Sequence, residues 1–291
     1  MADAGDAAVT GSLADGWLGD VASRRLALAL LIVGVAMAGY TVYAMRIAWR
    51  RYGERRERNR PMPEDPVYVG SSGPHAIALG VGAFRAVAAG EPVDDVGYRR
   101  SRRQVRVELT VRFGGTEDHA RESVPRALRA LLGGDAENAG PGMALAEQAL
   151  RLRARVGPEL WQHSLEEYAT ARGLPFGERE SLLALANDIA HAEDRLRLEG
   201  LLGHDETVPS LLATHWADGV HLVRCAMRAE WLAAPQGLEY LARADELTRA
   251  RYPSWSTMFG ALLLPALLND NTESIRWQFT VAPKLVAVNY S

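Results

Sequence analysis

The run from Arg24 to Arg60, "RRLALALLIVGVAMAGYTVYAMRIAWRRYGERRERNR", constrains this chain more than any other stretch. Twenty residues within it, Leu26 to Met45, carry no charge. At about 1.5 Å per residue such a helix is about 30 Å long, the thickness of a bilayer's hydrocarbon core. It is apolar all round, whereas a helix buried in a soluble core usually keeps a polar stripe. Gly34 and Gly39 are common inside membrane spans, and Tyr40, Tyr43 and Trp49 gather at one end, where amphipathic rings favour the headgroup zone. The reading is a transmembrane helix over 24–48. A cleaved export signal is the rival, because Ala36-Met37-Ala38 has the small-x-small form of a cleavage site. The acidic stretch before the run, and the arginine-dense start that cleavage would leave, both argue against it.

Flanking charge sets an expected orientation. Residues 1–23 hold Asp3, Asp6, Asp15 and Asp20 and no base, while Arg46, Arg50, Arg51, Arg55, Arg56, Arg58 and Arg60 follow the span. Positive residues are retained on the cytoplasmic side, so residues 1–23 are expected as an extracytoplasmic tail of an inner-membrane protein, with the rest of the chain in the cytoplasm. Arg46, Arg50, Arg51, Arg55 and Arg56 are candidates for anionic lipid headgroups, each drawn by about 1 kcal/mol. The formal net charge of −3 therefore averages a basic collar and an acidic remainder. Residues 49–74 read as a basic juxtamembrane segment running into a Pro- and Gly-rich linker, "PMPEDPVYVGSSGP".

From 75 to 291 the apolar residues recur at helical spacing, and the fold class is mainly α. Gly90 ends a first short helix, Thr116 can cap a second, and Ser254 can cap a late one. Two stretches break the pattern. "QVRVELTVRF" (104–113) alternates Val105, Val107, Leu109, Val111 and Phe113; "SIRWQFTV" (274–281) alternates Ile275, Trp277, Phe279 and Val281. Period two with β-branched and aromatic residues is a strand signal, so the pair is expected to form a small two-stranded antiparallel ribbon. The alternative for 104–113 is that it continues a helix from 95.

The most informative soluble stretch is 211–264. Trp216, Val220, Val223 and Met227 share one helical face, and Ala233-Ala-Pro-Gln236 turns the chain into a second helix, an αα-hairpin. The run Trp216-x-Asp218, Arg224, Glu239 and Tyr252-Pro253-Ser254-Trp255 resembles the core of the family catalogued as domain of unknown function 1266. The likeness extends to His75–Gly90 and Phe113-Gly114, covering about residues 75–268. Members often carry Gly-Arg soon after Ser-Trp, where this chain has "FGALLLPALLND"; a pocket served by that arginine would be altered here. The resemblance implies an α-helical fold and no established activity. Trp216, Asp218, Arg224 and Trp255 are the candidate binding residues. The bland reading of Asp218 and Arg224 is an ion pair pinning two helices.

No catalytic constellation emerges, and no cofactor or metal is expected. His191-x-x-Asp194 and His204-Asp205-Glu206 lack the three convergent ligands of a catalytic zinc, and His163 with Glu166 and Glu167 reads as a solvated helix face. A P-loop, a dinucleotide fingerprint and a G-x-S-x-G elbow are missing from the sequence. Cys225, the single cysteine, lies in an apolar helical run and reads as a small buried thiol. "YRRSRRQVRVE" (98–108) is a second basic cluster, but nucleic acid is a poor fit to a net-acidic domain without interleaved aromatics. The expectation is a single-pass membrane adaptor that tethers a cytosolic protein partner through its helical domain. The alternative is a membrane-attached enzyme or small-molecule sensor with a pocket near Trp216, Arg224 and Trp255.

Overall fold

Helix-ending glycines and side-chain caps divide the chain much as their positions suggest. The computed structural model describes residues 63, 65–68, 75–133, 141–269 and 272–289. The chain divides into units of residues 1–61 and 62–291, and every described residue belongs to the second. The expected span at 24–48, the tail before it and the five headgroup arginines lie outside the described residues. Among those described, no helix is long and apolar enough to cross a membrane.

Eleven helices occupy the described residues. The segment expected as one helix before Gly90 is two, α1 (Ala76–Val81) and α2 (Ala83–Ala89), broken at Gly82. Gly90 closes α2 in the left-handed conformation, φ 68°. The small residues here permit close approach: a Cβ on Gly80 would lie 2.4 Å from the Trp255 ring, and one on Gly82 would lie 2.7 Å from Val220. Helix α4 (Glu117–Leu132) starts at Thr116, whose side chain accepts the His119 N–H. Its buried stripe, Ala120, Val124, Leu128 and Leu132, repeats every four residues. Helices α5 (Pro141–Val156), α6 (Trp161–Ala171) and α7 (Phe176–Leu198) pack on one another, with the Trp161 indole donating to Ala149 O at 2.8 Å.

Helix α8 (Leu212–Arg228) is the centre of the domain. It lies against α1, α2, α4, α9 (Ala234–Arg251), α10 (Trp255–Leu268) and the helix beginning at Arg102, and most of its residues are buried. The expected αα-hairpin is therefore present as α8 and α9. Ser254 opens α10 through a reciprocal capping box with Thr257. Two helix starts are capped from a distance. Asp245 on α9 accepts the Ala78 N–H of α1 at 3.1 Å, and Glu147 on α5 accepts the Leu211 N–H before α8 at 2.6 Å. A carboxylate at a helix N-terminus satisfies an orphan donor and opposes the positive end of the dipole.

The expected β-ribbon is not formed. Residues 104–113 lie in α3 (Arg102–Phe113), which Ser101 and Gln104 open with a capping box. Residues 274–281 lie in α11 (Thr272–Asn289). The described residues contain no strand pairing beyond a lone parallel bridge between Val67 and Pro92. That bridge fastens part of the expected linker to the domain, as do the Asp65–Lys284 ion pair at 2.7 Å and the Tyr68 hydroxyl donating to Lys284 O.

Candidate functional site

After Gly90 the chain carries a carboxylate inward. Glu91 is fully buried and accepts the Arg99 and Arg100 backbone N–H groups at 2.6 and 3.1 Å, and Arg100 Nε at 2.8 Å. Three donors to one carboxylate offset its desolvation. These bonds brace the loop between α2 and α3 on itself, above the C-terminal half of α8 that Arg224 belongs to. Arg224 of α8 holds the same loop from the other side, donating through Nη2 to Pro92 O at 2.6 Å and Gly97 O at 3.2 Å. Its guanidinium carbon lies 4.4 Å from the centroid of the Tyr98 ring, a cation–π contact.

Tyr98, Arg100, Glu108, His221 and Cys225 meet beneath this loop. The Tyr98 hydroxyl is 2.5 Å from His221 Nδ1. His221 Nε2 is 3.6 Å from Glu108 Oε1 and 3.6 Å from Cys225 Sγ. Arg100 bonds Glu108 Oε2 through Nη1 and reaches within 4.0 Å of Cys225 Sγ through Nη2. Burial pushes the Cys225 thiol up to about 12, and neighbouring Glu108 adds to the rise. Burial also drives Tyr98 well above the phenol range, and lowers His221 despite Glu108 beside it. For Glu108 burial acts upward, but hydrogen bonds from His221 and the charge of Arg100 outweigh it and hold the carboxyl below its usual value.

At neutral pH the cluster is thus a phenol, a neutral imidazole, a thiol and a carboxylate. Tyr98 and His221 Nδ1 share a hydrogen bond whose donor is set by the imidazole tautomer. Cys225 is buried, and that burial favours the thiol over the thiolate.

The four expected binding residues have separate packing partners. Trp216 is buried edge-on against Tyr252, centroids 5.8 Å apart. Trp255 stacks on Phe259 and covers Gly80. Asp218 pairs with Arg85 of α2 at 2.7 Å, so the expected Asp218–Arg224 pair is replaced by two separate contacts. Six residues on a helix turn through about 240° net, which sends the two side chains to different neighbours. The Asp218 ion pair pins two helices, α2 and α8.

Glu206 accepts from the Ser254 hydroxyl at 2.5 Å and from the Ser256 hydroxyl, while His204 and Asp205 are exposed. Asp194 pairs with Arg197, and His163 with Glu167 on an exposed helix face. Sequence reasoning missed Glu108 and His221. The available signal was His221-x-x-x-Cys225, one helical turn apart on one face; Glu108 was hidden by the strand reading of its segment.

On the outer side of the same helix α3, Val107 and Val111 are 57% and 59% exposed. With Arg102, Arg103, Arg106, Thr110 and Glu117 they line an open depression of about 620 Å³. Searches of protein-family models, curated proteins and solved structures find no match to this chain.

Proposed function

We propose that the chain is a membrane-tethered adaptor whose helical domain docks an acidic, amphipathic helical segment of a partner protein on the outer face of α3. The observation that carries this reading is the pair Val107 and Val111, one helical turn apart and more than half exposed, set among Arg102, Arg103 and Arg106. An apolar i, i+4 ridge flanked by cations complements a helix bearing apolar residues and carboxylates. Arg102 and Arg106 are paired with Glu230 and Glu117, so Arg103, which is exposed and has no acidic partner among the described residues, is the lining cation left to meet such carboxylates.

A flat anionic membrane is the poorer occupant. Glu117 lines the depression, and Glu230, paired with Arg102 at 2.5 Å, sits beside it. Both acids are already paired with arginines of this face, and valines lack the bulk of the Trp, Phe and Leu that insert at interfaces. Tethering is supported by the uncharged run Leu26–Met45 and the arginines after it.

The test uses the full chain in detergent and a synthetic acidic peptide with leucines at i and i+4, read by fluorescence anisotropy. Binding that falls at least tenfold in Val107→Asp/Val111→Asp supports docking. Equal binding by both proteins, or binding only to vesicles containing phosphatidylserine, refutes it. Recovery of the intact chain in a high-speed supernatant without detergent refutes the tether.

A further inference from the structure

We propose that Glu108, His221 and Cys225 form a zinc site, with Glu108 Oε1, His221 Nε2 and Cys225 Sγ as its three protein ligands. The three ligand atoms already lie within 4.8 Å of one another. With Zn–S about 2.3 Å and Zn–N and Zn–O about 2.0–2.2 Å, a tetrahedral ion sets its ligand pairs roughly 3.4–3.6 Å apart. Two of the three edges, Sγ to Nε2 and Nε2 to Oε1, are 3.6 Å. The remaining edge closes by movement of Glu108, whose side chain is 34% exposed, the most of the three. His221 and Cys225 share a helix face one turn apart on the buried centre of the domain, a rigid bidentate half-site.

The surroundings suit the ion in two further ways. A histidine that binds metal through Nε2 places its proton on Nδ1 and donates it to a fixed acceptor. The Tyr98 oxygen, 2.5 Å from Nδ1, is that acceptor. Arg100 is the nearest group that opposes a cation here, since it bonds Glu108 and approaches Sγ, with Arg112 and Arg85 adding positive charge from further off. It has its own buried carboxylate, however: Glu91 accepts Arg100 Nε at 2.8 Å and keeps that guanidinium neutralised when Glu108 turns to the metal. Arg224 likewise remains on the Pro92 and Gly97 carbonyls.

Binding then proceeds with defined proton movements. The Sγ proton leaves to solvent as the Zn–S bond forms, because only thiolate ligates. With Nε2 on the metal the imidazole proton is carried on Nδ1 and donated to the Tyr98 oxygen, which keeps its own proton. A soft thiolate with an imidazole and one carboxylate favours zinc over magnesium or calcium, which take oxygen ligands. Three protein ligands leave a fourth position, on the partly exposed Glu108 side, for water. This inference stands apart from the docking face, which uses other residues of α3.

The test is titration of the full-length chain, purified metal-free in detergent, with Co²⁺ as the spectroscopic substitute for zinc. The expected result is one equivalent bound per chain, with thiolate-to-cobalt charge-transfer absorption and tetrahedral d–d bands that Zn²⁺ bleaches. Cys225→Ser abolishes the charge-transfer band; Glu108→Gln and His221→Asn weaken binding at least tenfold. Tyr98→Phe weakens it by roughly 10-fold through loss of the imidazole's acceptor, and Arg100→Gln tightens it. Circular dichroism establishes that each variant is folded, and Glu108→Gln serves as the arbiter should a buried substitution unfold the chain. Absence of the charge-transfer band at saturating Co²⁺, or equal binding by folded Glu108→Gln, overturns the site.

Discussion

Substituting Glu193 by leucine should unfold this domain far more readily than its size suggests. Glu193 on α7 and Arg153 on α5 form a two-pronged ion pair, Nη1 to Oε2 at 2.8 Å and Nη2 to Oε1 at 2.6 Å. The side chains are only 2% and 6% exposed. Glu193 also accepts the Val208 N–H at 2.7 Å, and Arg153 donates to Val208 O at 2.9 Å. In Glu193→Leu the guanidinium keeps only that carbonyl and the face of Trp161, 4.6 Å away. Stranding one member of a buried pair costs about 3–5 kcal/mol. At about 2–4 °C per kcal/mol for a domain of this size, the melting temperature should fall by roughly 6–20 °C. The double variant Arg153→Met/Glu193→Leu removes both charges and should regain about 2 kcal/mol of that loss. It stays below wild type, because Val208 is left with an unpaired N–H and C=O at about 1–3 kcal/mol each. Urea unfolding followed by tryptophan fluorescence measures all three proteins. A Glu193→Leu loss below about 1 kcal/mol, or a double variant no more stable than the single, refutes the reasoning.

Tyr252→Phe should cost about 1–3 kcal/mol in the same assay, because the hydroxyl accepts the Ala213 N–H and donates to Ser210 O, both at 2.9 Å. A loss within a few tenths of a kcal/mol would contradict those bonds. Glu206 predicts a pH dependence. Burial raises its pKa, but hydrogen bonds from Ser254, Ser256 and the Gly203 N–H overcome this and hold it below the unfolded value. Its stabilisation is therefore present above the unfolded carboxylate value and drains away as pH falls through the lower folded one. Wild type should lose stability with acid more steeply than Glu206→Gln, and parallel urea midpoints across that range would exclude the effect.

Much of the helical skeleton can be read directly from local signals. Thr116 and Ser254 cap where their side chains suggest, and Gly90 stops α2 in the conformation only glycine adopts freely. Residues 104–113 mislead because alternation also arises on a helix whose outer face carries Val107 and Val111 in water. The Ser101-x-x-Gln104 capping box was the better guide. Residues 274–281 mislead for another reason. Trp277 packs towards Phe84 while Phe279 lies under Arg195, so α11 has apolar contacts on two sides and imitates strand periodicity. The site was half legible: His221 and Cys225 stand one turn apart in the sequence, but Glu108 joins them only through tertiary packing. Glu91, Glu147 and Glu193 are likewise buried by partners distant in sequence, which composition and periodicity do not reveal.

The carboxylates that close the starts of α1 and α8 belong to α9 and α5, so neither helix owns the group that finishes it. Cutting the domain between α5 and α8, or between α1 and α9, would separate a lock from its key on both sides of the break. Fragments should accordingly fail together rather than survive as autonomous pieces, and synthesis must reach α9 before the start of α1 can settle.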